Sequence, residues 1–294
     1  MYIEKYLSYL KNEKRMAANS LEAYGRDIRD FEQFIQSRGT GSVLDATSTD
    51  VVAYLNKLKT AGRSPSTVNR KLASVRSFYN YMQGENLISD NPARGIKTPR
   101  IEKKELEYLS IKEIDQLLDS PDDSLKGRRD RAILEVLYAT GIKVSELIDA
   151  NVEDINFRMG FITCYGESSK TRIIPMGRPA RAALEDYVYE VRDQLLEDNK
   201  DEKALFVNYY GKRLTRQGLW KILREYGEKS GIKHKLTPNT LRNSFAVHML
   251  QNGADLKSLQ ELMGHEDIMA TQVYLAATKN HIKDVYDKTH PRAK

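Results

Sequence analysis

The sequence predicts a mainly α-helical protein in two parts: an all-helical bundle, then a larger mixed α+β domain carrying one small β-hairpin. Three observations lead there. A length of 294 residues is ample for two separate cores. Through the first hundred residues the apolar positions recur only at helical spacing. Beyond them the helical pattern resumes and is interrupted once, by two short β-prone runs around a polar turn.

The elements follow in order. "SLEAYGRDIRDFEQFIQSRG" sets Leu21, Tyr24, Ile28, Phe31 and Ile35 on one stripe, with Ser20 as candidate cap and Gly39 as stop. "SPSTVNRKLASVRSFYNYM" opens with Ser64 and Pro65, a favourable helix start, and its stripe is Val68, Leu72, Val75, Tyr79 and Met82. Arg70, Lys71 and Arg76 fall off that stripe, so the spacing predicts an outward basic edge. Residues 1–90 are therefore read as one helical domain. The prolines and charges of "DNPARGIKTPRIEKKELEYLS" mark a linker over 91–108. Ser110 to Glu113 ("SIKE") form a capping box that starts the second domain, 109–294. The β-prone runs of "GFITCYGESSKTRIIPMG", 161–165 and 171–175, are expected to pair as a hairpin.

Composition excludes several classes. Hydrophobic residues are 40% and charged residues 30% of the chain, ordinary for a globular protein. There is no apolar run of the length a membrane span needs, about 18 residues, and the start "MYIEKYLSYLKNEKR" lacks the features of a signal peptide. Cys164 is alone, which rules out an internal disulfide and a cysteine-based metal cluster. The simple expectation is a cytoplasmic protein without metal or cofactor. Of the net charge of +6, all lies in residues 1–100, with 16 Lys+Arg against 10 Asp+Glu. The remainder balances at 31 against 31, and residues 51–100 alone hold 9 against 2. A basic appendage on a neutral domain points to a polyanion partner, or to nothing more than a basic solvated face.

Chemistry concentrates in "ATGIKVSEL" (139–147), "TPNTLRNSFAVHML" (237–250) and "LQELMGHEDIMATQVYL" (259–275). These stretches place Lys143, Arg242, His265 and Tyr274 near helix starts and apolar turns. The planar fork of an arginine holds two phosphate oxygens, and a tyrosine hydroxyl can act as a covalent nucleophile. A single tyrosine in an amphipathic helix is more often packing than chemistry, so order and spacing have to decide.

Those stretches, with the hairpin, "SPSTVNRKLASVRSFYNYM", "TLRNSFAVHMLQNGADLKSLQELMGH", "ATQVY" and the closing "VYDKTHPRA", resemble the tyrosine recombinases of the lambda-integrase class, most closely the Xer branch. The likeness runs nearly end to end. It implies a SAM-like core-binding domain and a catalytic domain that together clamp double-stranded DNA, and a C-terminal tail ("KNHIKDVYDKTHPRAK") that docks on a neighbouring subunit or Xer-type partner. It also implies DNA cleavage without metal or ATP, through a 3′-phosphotyrosyl link, by an enzyme that would work at the nucleoid.

Carried over position by position, the resemblance puts the nucleophile on Tyr274, one phosphate-binding arginine on Arg242 and the later histidine on His265. The remaining expected groups are substituted: the first arginine is Lys143, the hairpin lysine is Glu167 and the first histidine is Asn239. Lys143 keeps charge but not the fork, and loss of one such stabiliser slows reaction by about 10²–10³. Glu167 reverses charge where a general acid is wanted, a loss of roughly 10²–10⁴. Asn239 donates a hydrogen bond but exchanges no proton near neutral pH. Lys170, three residues beyond Glu167, is a possible substitute acid. The DNA-contacting set is expected to be Arg70, Lys71, Arg76, Lys143, Lys170, Arg172, Arg242 and His265. With half the catalytic set changed, the expectation is a DNA-binding protein on a recombinase scaffold, impaired in cleavage, regulating transcription or shaping DNA. The alternative is an active site-specific recombinase cutting through Tyr274. A third reading is an adaptor that regulates a competent recombinase through its tail.

Overall fold

The computed structural model describes residues 2–39, 41–97, 105–166, 171–197, 199–232, 236–265 and 267–275. The chain divides into two compact units, 1–104 and 105–294.

The first unit is a bundle of α1 (Tyr2–Asn12), α2 (Ala18–Ser37), α3 (Ser48–Thr60) and α4 (Pro65–Gly84). The α4 stripe lies wholly inside: Val68, Leu72, Val75, Tyr79 and Met82 are all at 0% exposure. Ser64 caps that helix by accepting the Thr67 N–H at 3.3 Å. Helix α2 starts earlier than its sequence signal, at Ala18, which leaves Ser20 inside the first turn. Edge-to-face aromatic pairs knit the core, Phe31 against Tyr54 and Tyr79, and Tyr6 against Phe78.

Of the expected outward basic edge, Arg70 is exposed and Arg76 half-buried, while Lys71 is a correction. Lys71 is buried, its ammonium between Asp27 at 3.1 Å and Asp30 at 2.6 Å. Arg70 also bonds Asp27, which is 2% exposed and accepts Ser74 Oγ at 2.9 Å. Arg76 donates to the carbonyls of Ala93 and Ile96. The spacing of α4 located its own core stripe; α2 then placed carboxylates against the flank and drew Lys71 in, with Arg70 bonding Asp27 from the exposed rim.

Both described ends of the 91–108 stretch are packed. Ala93 is buried in the first core, Leu106 and Tyr108 pack partly buried in the second unit, and Leu109, just beyond the stretch, is buried there. The Leu109 N–H donates to Ser244 Oγ at 2.8 Å.

The second unit holds α5 (Ile111–Leu118), α6 (Leu125–Thr140), α7 (Val144–Asp149), α8 (Arg178–Asp186), α9 (Arg192–Leu196), α10 (Arg216–Lys229), α11 (Pro238–Gln251), α12 (Leu256–Met263) and α13 (Met269–Gln272). Ser110 and Glu113 form the capping box of α5. Between α7 and α8 lies a three-stranded antiparallel sheet in the order β1 (Ile155–Asn156), β2 (Phe161–Tyr165), β3 (Thr171–Pro175). Tyr165 pairs with Thr171 and Phe161 with Pro175, the hairpin expected from the two runs. Helix α6 runs through the core and packs on α8 and α11. That packing sets the C-terminal end of α6 beside the N-terminal half of α11. No helix among the described residues is long and apolar enough to cross a membrane.

Candidate functional site

Helix α6 ends at Gly141, which has φ +56 and caps the helix in the left-handed conformation. A Cβ there would also meet the Phe245 ring at 2.4 Å, so glycine is required twice over. Two residues on, the Lys143 N–H donates to Glu146 Oε2 at 2.9 Å, which fixes the start of α7. Glu146 is 8% exposed. Burial pushes its carboxyl up, but the bonds from Arg172 and the Lys143 N–H outweigh it and hold the group ionised below its ordinary value.

Thr237 and Pro238 start α11, and Asn239 is exposed in the first turn. One turn later Arg242 points inward at 9% exposure. Its guanidinium donates to the carbonyl of Gly141, to that of Met263 at 2.5 Å, and to His265 Nε2 at 3.1 Å. Burial pushes its pKa down, yet arginine remains charged at any neutral pH.

Helix α12 ends in Gly264, at φ +61. The last carbonyls of a helix lack intrahelical partners and carry partial negative charge. Here cations from separate elements take them. Leu262 O accepts Arg172 Nε at 2.9 Å, Met263 O accepts Arg242, and Gly264 O accepts Lys143 Nζ at 3.2 Å. His265 follows directly. A guanidinium can only donate, so Nε2 is the acceptor and the ring proton is assigned to Nδ1, facing Thr271 Oγ1 at 2.8 Å. Burial and then the charges of Arg242, Lys143 and Arg172 push the imidazole down to about 4, so it is neutral at physiological pH.

Tyr274 completes the group. Its ring lies parallel to that of His265, with centroids 6.5 Å apart and planes 9° from parallel. It is 5% exposed, among Phe245, Leu259 and Met263. The hydroxyl donates to Asn243 Oδ1 at 3.2 Å, and Asn243 in turn donates to Glu107 O at 2.9 Å. Burial pushes the phenol up and Arg242 pulls it partly back.

The structure thus brings together Arg242, His265, Tyr274 and the substituted Lys143, with Asn239 one turn away on α11. Glu167, Lys170 and the tail 279–294 lie outside the described residues. Arg172, expected in the DNA-contacting set, is engaged within the fold. Its side chain is 14% exposed and clasps Glu146 with both terminal nitrogens, one at 2.7 Å. Sequence reasoning missed Glu146, Thr271, Asn243 and Gly264. Only Glu146 left a readable sign, as the acidic residue three positions after a helix start. Among the described residues no group of three His, Cys, Asp or Glu could hold a metal ion.

Residues 107–281 match the model of the "Phage integrase family", and residues 3–86 match "Phage integrase, N-terminal SAM-like domain". The chain belongs to the phage integrase family. It is 44% identical over 292 residues to the tyrosine recombinase XerD of Oceanobacillus iheyensis, covering 99% of this chain and 98% of the relative. It is 42% identical over 293 residues to XerD of Listeria innocua, covering 99% of both. Among solved structures, XerH recombinase bound to palindromic difH substrate superposes with a TM-score of 0.74 at 18% identity, covering 97% of this chain and 94% of that one.

These likenesses overturn the expectation of an impaired regulator. An identity this high, spread over the whole length, is with recombinases. The physical error lay in counting substituted side chains as lost functions. Lys143 still delivers its charge to the Gly264 carbonyl beside His265.

Proposed function

We propose that this protein is a site-specific tyrosine recombinase that cuts and rejoins duplex DNA through a 3′-phosphotyrosyl link on Tyr274. The observation that carries this reading is the convergence of Arg242, Lys143 and His265 on the end of α12, with the Tyr274 ring laid against the imidazole. Arg242 donates to carbonyls and to a neutral imidazole, and the Lys143 ammonium to a carbonyl, so the cluster keeps its positive charge. A phosphate is the group such a site would take.

In this reading the Tyr274 hydroxyl gives up its proton to water, its oxygen forms the bond to phosphorus, and the bond from phosphorus to the 5′-oxygen breaks. The bond energy is kept in the phosphotyrosyl ester, so the reverse attack by a 5′-hydroxyl reseals the strand without a cofactor. Arg242 and Lys143 hold the nonbridging oxygens as charge builds. His265, neutral and protonated on Nδ1, stands beside them. Tyr274 must first exchange its bond to Asn243 for the phosphate. We assign the leaving-group proton to Lys170, the lysine of the hairpin turn. XerH was solved on a palindromic substrate, and by likeness the target here is a two-fold duplex site bound by more than one subunit through the C-terminal tail.

A nicked Xer-type duplex, from which the cleaved end diffuses away, tests the proposal. Wild-type protein is expected to leave a covalent adduct on a denaturing gel. Tyr274→Phe is expected to remove it while a native gel still shows the shifted complex. A shifted complex without adduct from wild type would refute cleavage.

A further inference from the structure

We infer that Arg172 is a positioning residue: it spaces Lys143 and His265 through Glu146 and the end of α12, and does not itself hold DNA. The inference rests on the recombinase reading for its consequence, though not for its geometry.

Arg172 stands on β3, and each of its three side-chain nitrogens makes a hydrogen bond within the fold. Nη1 and Nη2 bind the two oxygens of Glu146, and Nε binds Leu262 O. The ion pair is buried on both sides, the side chains 14% and 5% exposed. A fork-to-fork pair of this kind fixes direction as well as distance. Each partner leads straight to the site. Glu146 binds the N–H of Lys143, so the place where α7 begins follows the carboxylate. Leu262 lies in the last turn of α12, three residues before His265. One guanidinium therefore ties the segment that presents Lys143 to the segment that presents His265. Gly264 shows how close the fit is: a Cβ there would stand 2.7 Å from Arg172 Nη1 and 2.9 Å from Cζ.

Charge accounting agrees. Burial alone would push the Arg172 pKa down, but the bonds and field of Glu146 raise it. The pair is neutral as a unit and has little left for a phosphate. Lys143 and Arg242, satisfied by carbonyls, keep theirs. A misplacement of about 1 Å in such a site slows reaction by about 10².

The test uses the full chain with Arg172→Lys, which keeps the charge and loses the fork, and Arg172→Met, which loses both. DNA affinity is measured across a salt series, single-turnover cleavage on the nicked duplex, and the His265 tautomer by 15N chemical shifts without DNA. Thermal unfolding identifies the folded variants. Positioning predicts cleavage slowed by about 10² in Arg172→Lys, with affinity within about twofold and an unchanged slope of log affinity against log salt. It also predicts that the single Nδ1–H tautomer of His265 gives way to a mixture in either folded variant. A salt slope reduced by about one unit would mean a phosphate contact and overturn the inference. So would an unchanged tautomer in the folded Arg172→Lys protein. The tautomer is read whether or not the wild type cuts, so failure of the recombinase reading is seen separately. Glu146→Gln supplies a cycle: it should be as harmful as Arg172→Lys, and the double variant no worse. Additive losses would separate the two residues and count against a shared role.

Discussion

Lys71 in the first unit and Arg242 in the second are both buried cations, 7% and 9% exposed, and they are satisfied in opposite ways. Lys71 meets carboxylates, Asp27 and Asp30, with Arg70 and Ser74 closing the network. Arg242 meets the carbonyls of Gly141 and Met263 and a neutral imidazole. A carboxylate cancels the charge it binds. A carbonyl at a helix end orients the cation and takes away only a fraction of it. The charge of Lys71 is cancelled within the fold, while that of Arg242 is left largely uncancelled. A basic residue off the core stripe is therefore no evidence of a binding face until its neighbours are known.

The contrast would break most visibly at Arg242. Arg242→Lys keeps the charge but loses the fork that joins Gly141, Met263 and His265, and cleavage on the nicked duplex is expected to fall by about 10²–10³. An unchanged rate would mean that the second cluster is scaffolding like the first. Lys71→Met is the mirror experiment. It strands Asp27 in the core with a weaker set of partners, and a loss of about 3 kcal/mol is expected in the unfolding free energy from urea titration. The single-turnover rate of the folded protein should stay as it was. A slowed rate at full stability would make Lys71 part of the chemistry after all.

Lys143→Arg sharpens the comparison on a smaller scale. The fork restores a second bond to phosphate, and cleavage is expected to rise on the order of tenfold. A fall would mean that the ammonium on the Gly264 carbonyl suits this site better than the family's usual arginine.

The smallest effect is in pH, where the two clusters should loosen at opposite ends. His265 is depressed from 6.5 to about 4. Its neutral form favours the fold, so its contribution is full above about 6.5, declines as pH falls and is gone below about 4. For Lys71, burial alone would lower the ammonium, but the bonds to Asp30 and Asp27 outweigh it and the net shift is upward from 10.5. Its contribution is full below the ordinary lysine value and is lost as pH rises through the folded one. Unfolding midpoints against pH should show an acid limb that His265→Gln flattens and an alkaline limb that Lys71→Met flattens. If each substitution leaves its own limb unchanged, the assignment of charge states is wrong.

The sequence by itself determined what depends on neighbours along the chain. The α4 stripe, the Ser64 and Ser110 caps and the pairing of 161–165 with 171–175 rest on periodicities of 3.6 and 2 and on capping bonds three residues long. Motif order likewise placed Tyr274, Arg242 and His265. What the sequence could not decide was the company each side chain keeps across the fold. Asp27 is 44 residues from Lys71, Glu146 is 26 from Arg172, and Gly264 is 121 from Lys143. No local pattern encodes those meetings. They arise where helix packing brings α2 against α4, and the ends of α6, α11 and α12 together with β3. There the counter-charge is chosen, and with it whether a cation is spent on the fold or kept for a phosphate.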